Sequence, residues 1–161
     1  GTRTGTLDPS AITFIAEKEN LSPADLNRIF NKESGILGVS GVSNDNRDVV
    51  AAAKAGNERA ALALSMQRYQ IIKFIGSYAA AMNGVDAIVF TGGIGENAFD
   101  VREEVCKNME FFGIKLDKAV NDGLRGKLAK ISAADSKVDV WVVPTNEELL
   151  IARDTLALIS K

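Results

Sequence analysis

The 161-residue chain contains no histidine and a single cysteine, and each scarcity removes a class of chemistry. Without an imidazole there is no Ser/His or Cys/His catalyst. With Cys106 alone, an intrachain disulfide cannot form and a cysteine-built zinc cage is excluded, so a reducing, cytoplasmic setting is the simplest expectation. Cys106 falls inside a helical pattern with no neighbouring base to activate it, which predicts buried packing rather than reactivity. A net charge of -2 without a dense basic run argues against nucleic acid as a partner, because phosphates need a positive face. No signal peptide is legible and no apolar run reaches membrane-spanning length, since Lys73 interrupts the longest one; no membrane partner is expected. Repeats, low-complexity tracts and linkers are also missing, so residues 1–161 are expected to form a single domain. The first residue is Gly1 rather than Met, which suggests a piece of a larger protein.

What is present is ordinary for a globular α/β chain, with 46% apolar and 25% charged residues. The stretch around which the rest is organised is Ile88-Val89-Phe90-Thr91-Gly92-Gly93-Ile94-Gly95-Glu96-Asn97-Ala98. Ile88 to Phe90 reads as a buried strand, and the glycines let backbone approach a ligand. Asn97 or Asp100 then caps the helix that follows. Amides at the start of a helix lack partners and carry partial positive charge, so such a turn suits a phosphate or the sugar of a nucleotide. The same residues satisfy a dinucleotide fingerprint, Gly93-x-Gly95-x-x-Ala98, with the acid Asp117 at the expected distance beyond it. A ligand-free strand-to-helix turn is the plain alternative.

Along the chain, Asp8-Pro9 and Ser22-Pro23-Ala24-Asp25 each predict a helix start, the first helix running to about Glu19 and the second stopping at a left-handed Gly35. Gly35 to Ser43 reads as a loop or short strand. Asn44 to Asp48 reads as the polar cap of a helix over Asp48 to Lys54. Asn57 to Asn83 carries the longest helical pattern, with Leu64, Arg68, Ile71, Ile72, Ile75, Tyr78, Ala79 and Met82 on the buried face. A helix over Phe99 to Phe111 ends at Gly113. Ile114 to Leu116 is a short strand, Asp117 to Leu124 a weak helix, and Leu128 to Ser132 a weak strand. Val138 to Val143 is a strong strand stopped by Pro144, and a last helix opens at Thr145-Asn146-Glu147-Glu148 and continues to Lys161.

Three segments together resemble the acetate kinase family: Gly1-Thr2-Arg3 with Asp8-Pro9; Phe90-Thr91-Gly92-Gly93-Ile94-Gly95-Glu96-Asn97; and Pro144-Thr145-Asn146-Glu147-Glu148-Leu149 with Ile151-Ala152-Arg153-Asp154-Thr155. Ser40-Gly41-Val42-Ser43-Asn44-Asp45-Asn46-Arg47-Asp48 is similar to a fourth family segment. The resemblance implies an α/β fold of the actin, sugar-kinase and heat-shock ATPase type (ribonuclease H-like), with a small mixed sheet packed by helices. It covers only the family's C-terminal, nucleotide-binding half, so the N-terminal domain, with its own catalytic groups, is not in this sequence.

The resemblance further implies reversible transfer of the ATP γ-phosphoryl group to acetate, giving acetyl phosphate and ADP. Mg²⁺ is the implied cofactor, with Mn²⁺ as a substitute, and a homodimer forms through this domain. Arg3 resembles the catalytic arginine that holds the transferring phosphoryl group or the carboxylate, and Glu147 resembles the glutamate that acts through the metal. Gly93, Ile94, Gly95, Glu96 and Asn97 would bound the adenosine pocket, and Asp45, Asn46 and Arg47 would contribute from across it. By their residues alone, Arg3 is equally a solvated loop cation and Glu147 an acid favoured by the helix dipole. The isolated half is expected to bind nucleotide without turnover; a propionate kinase and a dinucleotide-dependent dehydrogenase are the alternative functions.

Overall fold

The computed structural model describes residues 1–160, which group into two compact units, residues 1–70 and residues 71 onward. The expected end of the last helix at Lys161 lies outside the described residues.

In the first unit, α1 (Pro9–Lys18) and α2 (Pro23–Arg28) start where the sequence places them. The Asp8 carboxylate accepts the Ser10 N–H, and Ser22 and Asp25 form a reciprocal capping box. Gly35 is left-handed, with φ 63°, but the helical path resumes there instead of ending. A π-helical turn (Ile29–Glu33) extends α2, and α3 (Gly35–Ser40) follows in place of the expected loop or strand. Tertiary ties override the poor helix propensity of its glycines. The Leu37 N–H donates to Gly1 O, and the Arg59 guanidinium donates to Val39 O at 2.8 Å and Gly38 O at 3.1 Å, neutralising the carbonyl end of α3. Helix α4 (Asn46–Lys54) begins two residues earlier than expected because Asp45, within the polar cluster read as its cap, is the N-cap. Val49, Ala60, Ala63 and Leu64 form this unit's core, with Ile36 and Val39 packed on it.

The unit boundary falls within α5 (Glu58–Ala81). Its buried positions are mostly small residues, including Ala60, Ala63 and Ala79, whereas Tyr78 and Met82, expected on the inner face, are 61% and 63% exposed. In the second unit, Ile71, Ile72 and Ile75 pack on the core below the sheet.

That sheet has the order β1-β3-β2 and is mixed. Strand β1 (Ala87–Phe90) runs parallel to β3 (Asp139–Val142), with Phe90 opposite Val142, and β2 (Ala129–Lys130) runs antiparallel to β3. Ile88 and Phe90 point into the core and Val89 does not, so β1 is buried on one face rather than on both. Helix α6 (Gly92–Asn97) follows β1, then α7 (Phe99–Lys107), a 3₁₀ turn ended by Gly113, and α8 (Lys118–Asn121), capped by Asp117. Ile114 to Leu116 contributes only a single bridge, Leu116 to Ser132, instead of a strand. Val101, Val105, Cys106 and Met109 of α7 fill the core with Ile114, Ile131, Val138, Val140 and Val142. The last helix, α9 (Glu147–Ile159), is capped by Asn146, and its Leu150, Ile151, Leu156, Leu158 and Ile159 are all exposed.

Candidate functional site

In the first unit, the segment carrying Arg3 is laced along the chain from residue 30 to residue 37. Thr4 N–H donates to Phe30 O, Ser34 N–H to Thr2 O, and the Thr2 hydroxyl to Asn31 O. The lacing needs a glycine beneath it, since a Cβ on Gly35 would stand 2.8 Å from Arg3 O and 2.9 Å from Gly1 O. The backbone on both sides of Arg3 is therefore fixed while its side chain is exposed, a firm base under a cation that reaches outward. Gly1 lies against Asn44, so the Arg3 segment starts beside the polar triplet.

The Asp45 carboxylate accepts the Arg47 backbone N–H at 2.8 Å and pairs with the Arg47 guanidinium at 2.6 Å. Those hydrogen bonds, the side-chain one first, lower its pKa to about 2. The Arg47 side chain is 90% exposed, so releasing it from so exposed a pair costs little. Asn46 is half-buried, and its Oδ1 is a buried acceptor without a hydrogen-bond partner.

In the second unit, the carboxyl ends of parallel β1 and β3 lie side by side, and Val143 N–H continues the ladder to Phe90 O. Open α/β sheets bind ligands just beyond such strand ends. The loop after β1 leads into α6 and the loop after β3 into Glu147.

The glycine stretch is thus a helix and not an open turn. Three glycines among six residues would cost roughly 3 kcal/mol of helix propensity relative to alanine, and the side chains of its last two residues hold the helix. The Glu96 carboxylate accepts the Gly92 N–H at 2.9 Å and the Thr145 N–H at 2.8 Å, while Asn97 donates to Gly93 O at 3.0 Å. The bonds to Glu96, led by the Thr145 N–H, hold its carboxyl below the usual carboxylate range.

The Gly92 amide is therefore occupied by an internal carboxylate, contrary to the expectation of a free phosphate-binding amide. Ala98, not Asn97 or Asp100, is the N-cap of α7, because Asn97 closes α6 instead. Gly92 has φ 69° and requires glycine. At Gly95 the constraint is close approach, a Cβ there standing 3.1 Å from the Phe90 carbonyl carbon. Ile94 anchors α6 in the core, and Gly93 faces open space where a ligand can come near backbone.

Glu147 opens α9 with its side chain exposed, and Asn146 does the capping by accepting the Leu149 N–H. No cluster of three or more Cys, Asp or Glu residues able to cage a cation occurs among the described residues. The donor set still suits Mg²⁺, which keeps waters and takes one or two carboxylates together with substrate phosphates. The structure thus brings Gly93, Ile94, Gly95, Glu96 and Asn97 next to the loop carrying Glu147 in one unit. Arg3, Asp45, Asn46 and Arg47 lie in the other.

Sequence reasoning did not single out Arg102, which is 0% exposed although charged. Its guanidinium donates to Asn121 Oδ1 at 2.9 Å, Gly95 O at 2.8 Å and Leu124 O at 2.8 Å, stapling α6 to the segment after α8. The helical period offered a signal, since Arg102 shares the inner stripe of α7 with Val101 and Val105.

The Acetokinase family profile matches residues 1–153. An acetate kinase from Bacteroides thetaiotaomicron is 58% identical over 161 residues, covering 100% of this chain and 40% of that protein. One from Carboxydothermus hydrogenoformans is 59% identical, covering 99% of this chain and 39% of its own length. Among solved structures, the Porphyromonas gingivalis acetate kinase superimposes with a TM-score of 0.92 at 54% identity, over 98% of this chain and 40% of that one. A propionate kinase from Francisella tularensis gives a TM-score of 0.85 at 36% identity, over 95% and 38%. The chain therefore spans about two-fifths of the length of the relatives it matches. The small mixed sheet packed by helices is the α/β fold of the actin and sugar-kinase type. With the family profile spanning nearly all of its length, the chain belongs to the acetokinase family.

Proposed function

We propose that this chain is the C-terminal, nucleotide-binding domain of an acetate kinase. The whole enzyme would transfer the ATP γ-phosphoryl group reversibly to acetate, in the cytoplasm. The observation that carries this reading is the junction of the glycine helix with the Glu147 loop at the carboxyl ends of β1 and β3, in a chain of this family.

Phosphoryl transfer between two anions needs positive charge where negative charge accumulates on the equatorial oxygens. Arg3 supplies it as a planar fork of donors that matches a phosphoryl or carboxylate group, projecting from a backbone fixed by its lacing. Glu147 would hold Mg²⁺, directly or through water, and the ion when bound would neutralise polyphosphate charge. Gly93 offers bare backbone to the adenosine, with Ile94, Gly95, Glu96 and Asn97 fixing the shape of that wall. In the first unit, Asp45, Asn46 and Arg47 are further candidate nucleotide contacts, Arg47 leaving its exposed pair with Asp45 to stack on the base or reach phosphate. The exposed apolar side chains of α9 and of Tyr78 and Met82 would be covered in the whole enzyme, by the rest of the polypeptide or by a second copy in a homodimer.

Acetate is taken as the substrate because the two curated relatives named above, 58% and 59% identical to the chain, are acetate kinases. The dehydrogenase alternative is disfavoured by the Glu96 carboxylate, which sits on the helix-opening amide that a pyrophosphate would need. In the full-length enzyme, Arg3→Ala and Glu147→Ala should each lower kcat by about 10²-fold or more with the thermal midpoint unchanged. An ATP-dependent acetyl phosphate assay measures this, and near-normal kcat in either variant removes that residue from the site.

A further inference from the structure

Glu96 belongs to the nucleotide wall, and its carboxylate also joins that wall to the loop that carries Glu147. One acid accepts the N–H groups of both Gly92, which opens the glycine helix, and Thr145, two residues before Glu147. The Thr145 hydroxyl adds to the joint by accepting the Gly92 N–H at 3.2 Å and hydrogen-bonding the Thr91 hydroxyl. We infer that Glu96 is a positioning residue that couples the nucleotide wall to the metal-binding glutamate, making cation and nucleotide binding interdependent. The inference rests on the function proposed above.

The two sides of the joint are anchored unequally. The glycine helix has independent holds: Ile94 in the core, Gly95 against Phe90, and the Arg102 guanidinium on Gly95 O. Beyond Val143, whose N–H stays on the β1 ladder, the loop to α9 is held to that helix through Glu96 and the Thr91–Thr145 hydroxyl pair. Removing the carboxylate therefore frees the Glu147 side far more than the nucleotide wall. Partners that orient a metal ligand without touching the metal commonly matter this much.

The test uses the full-length enzyme and calorimetric titration with ADP, with and without Mg²⁺, for wild type, Glu96→Ala and Glu96→Gln. Hydrogen exchange is followed on peptides spanning residues 91–97 and 143–149. In Glu96→Ala the tightening of ADP binding produced by Mg²⁺ should fall by about 10- to 100-fold, a larger loss than any fall in the metal-free ADP affinity. The 143–149 peptide should lose protection and the 91–97 peptide should keep most of it. Glu96→Gln, which retains an acceptor oxygen, should recover part of the linkage and decides the matter if the alanine variant does not fold. Undiminished Mg²⁺ tightening in a folded variant, or equal loss with and without metal, overturns the coupling role alone. Failure of the wild type to bind ADP overturns the underlying reading as well.

Discussion

Replacing Arg102 by Met should cost more stability than any other single change near the glycine helix. Methionine keeps much of the apolar stem but removes three donated hydrogen bonds, to Asn121 Oδ1, Gly95 O and Leu124 O. Asn121 is 0% exposed, so its oxygen loses its partner out of reach of water, at about 1–3 kcal/mol. The two carbonyls are partly buried and would recover some hydration, adding roughly 0.5–1 kcal/mol each.

Against this stands the relief of burying a charge. Desolvation lowers the pKa of the guanidinium, a sign that burial disfavours the charged form, although arginine remains protonated at any working pH. The net expectation is a loss of about 2–4 kcal/mol, which at roughly 2–4 °C per kcal/mol for a chain of this size lowers Tm by about 4–16 °C. Thermal denaturation followed by circular dichroism reads the shift. Arg102→Lys should fall between wild type and Arg102→Met, because one ammonium cannot span three acceptors that lie in different directions. A Tm within about 2 °C of wild type for Arg102→Met would refute the reasoning, because it would mean that the acceptors find water as good as the guanidinium.

Two further outcomes follow from the same packing. Gly95→Ala would push a Cβ to 3.1 Å from the Phe90 carbonyl carbon, so α6 must shift off β1; ADP affinity should fall with a stability loss of about 1–3 kcal/mol, and unchanged affinity by calorimetry would remove Gly95 from the adenosine wall. Burial pushes the Cys106 thiol up to about 12, so the native protein should not react with a thiol-specific disulfide reagent at pH 8 until it unfolds; rapid native labelling would contradict the packing of α7.

Much of this architecture was legible in the sequence where local chemistry and tertiary packing agree. Asp8-Pro9 and Ser22-Pro23 began helices as their capping groups require, and the valine-rich run at β3 paired as a strand. The misreadings fall where distant groups decide local structure. Helices α3 and α6 are too rich in glycine to be expected from propensity, and each is held from afar, α3 by Arg59 and Gly1, α6 by Arg102 and by the Glu96 bond to Thr145. Tyr78 and Met82 follow the helical period of α5 but not its burial, because periodicity says which face a residue shares and not whether anything covers it. Of the candidate site, sequence motifs supplied the residues. Glu96 was legible as part of a motif, but its tie to Thr145 crosses 49 positions and appears only in the folded chain.

The most direct test of the central claim is calorimetric titration of this 161-residue chain with Mg-ATP, with an acyl phosphate assay using acetate on the same sample. The account predicts weak, saturable binding of ATP and ADP, not of NAD, and no turnover. Absence of nucleotide binding would contradict the assignment of the glycine helix and Glu147 loop as a nucleotide site. Acetyl phosphate formation by this chain alone would contradict the placement of the remaining catalytic groups in the rest of a longer enzyme.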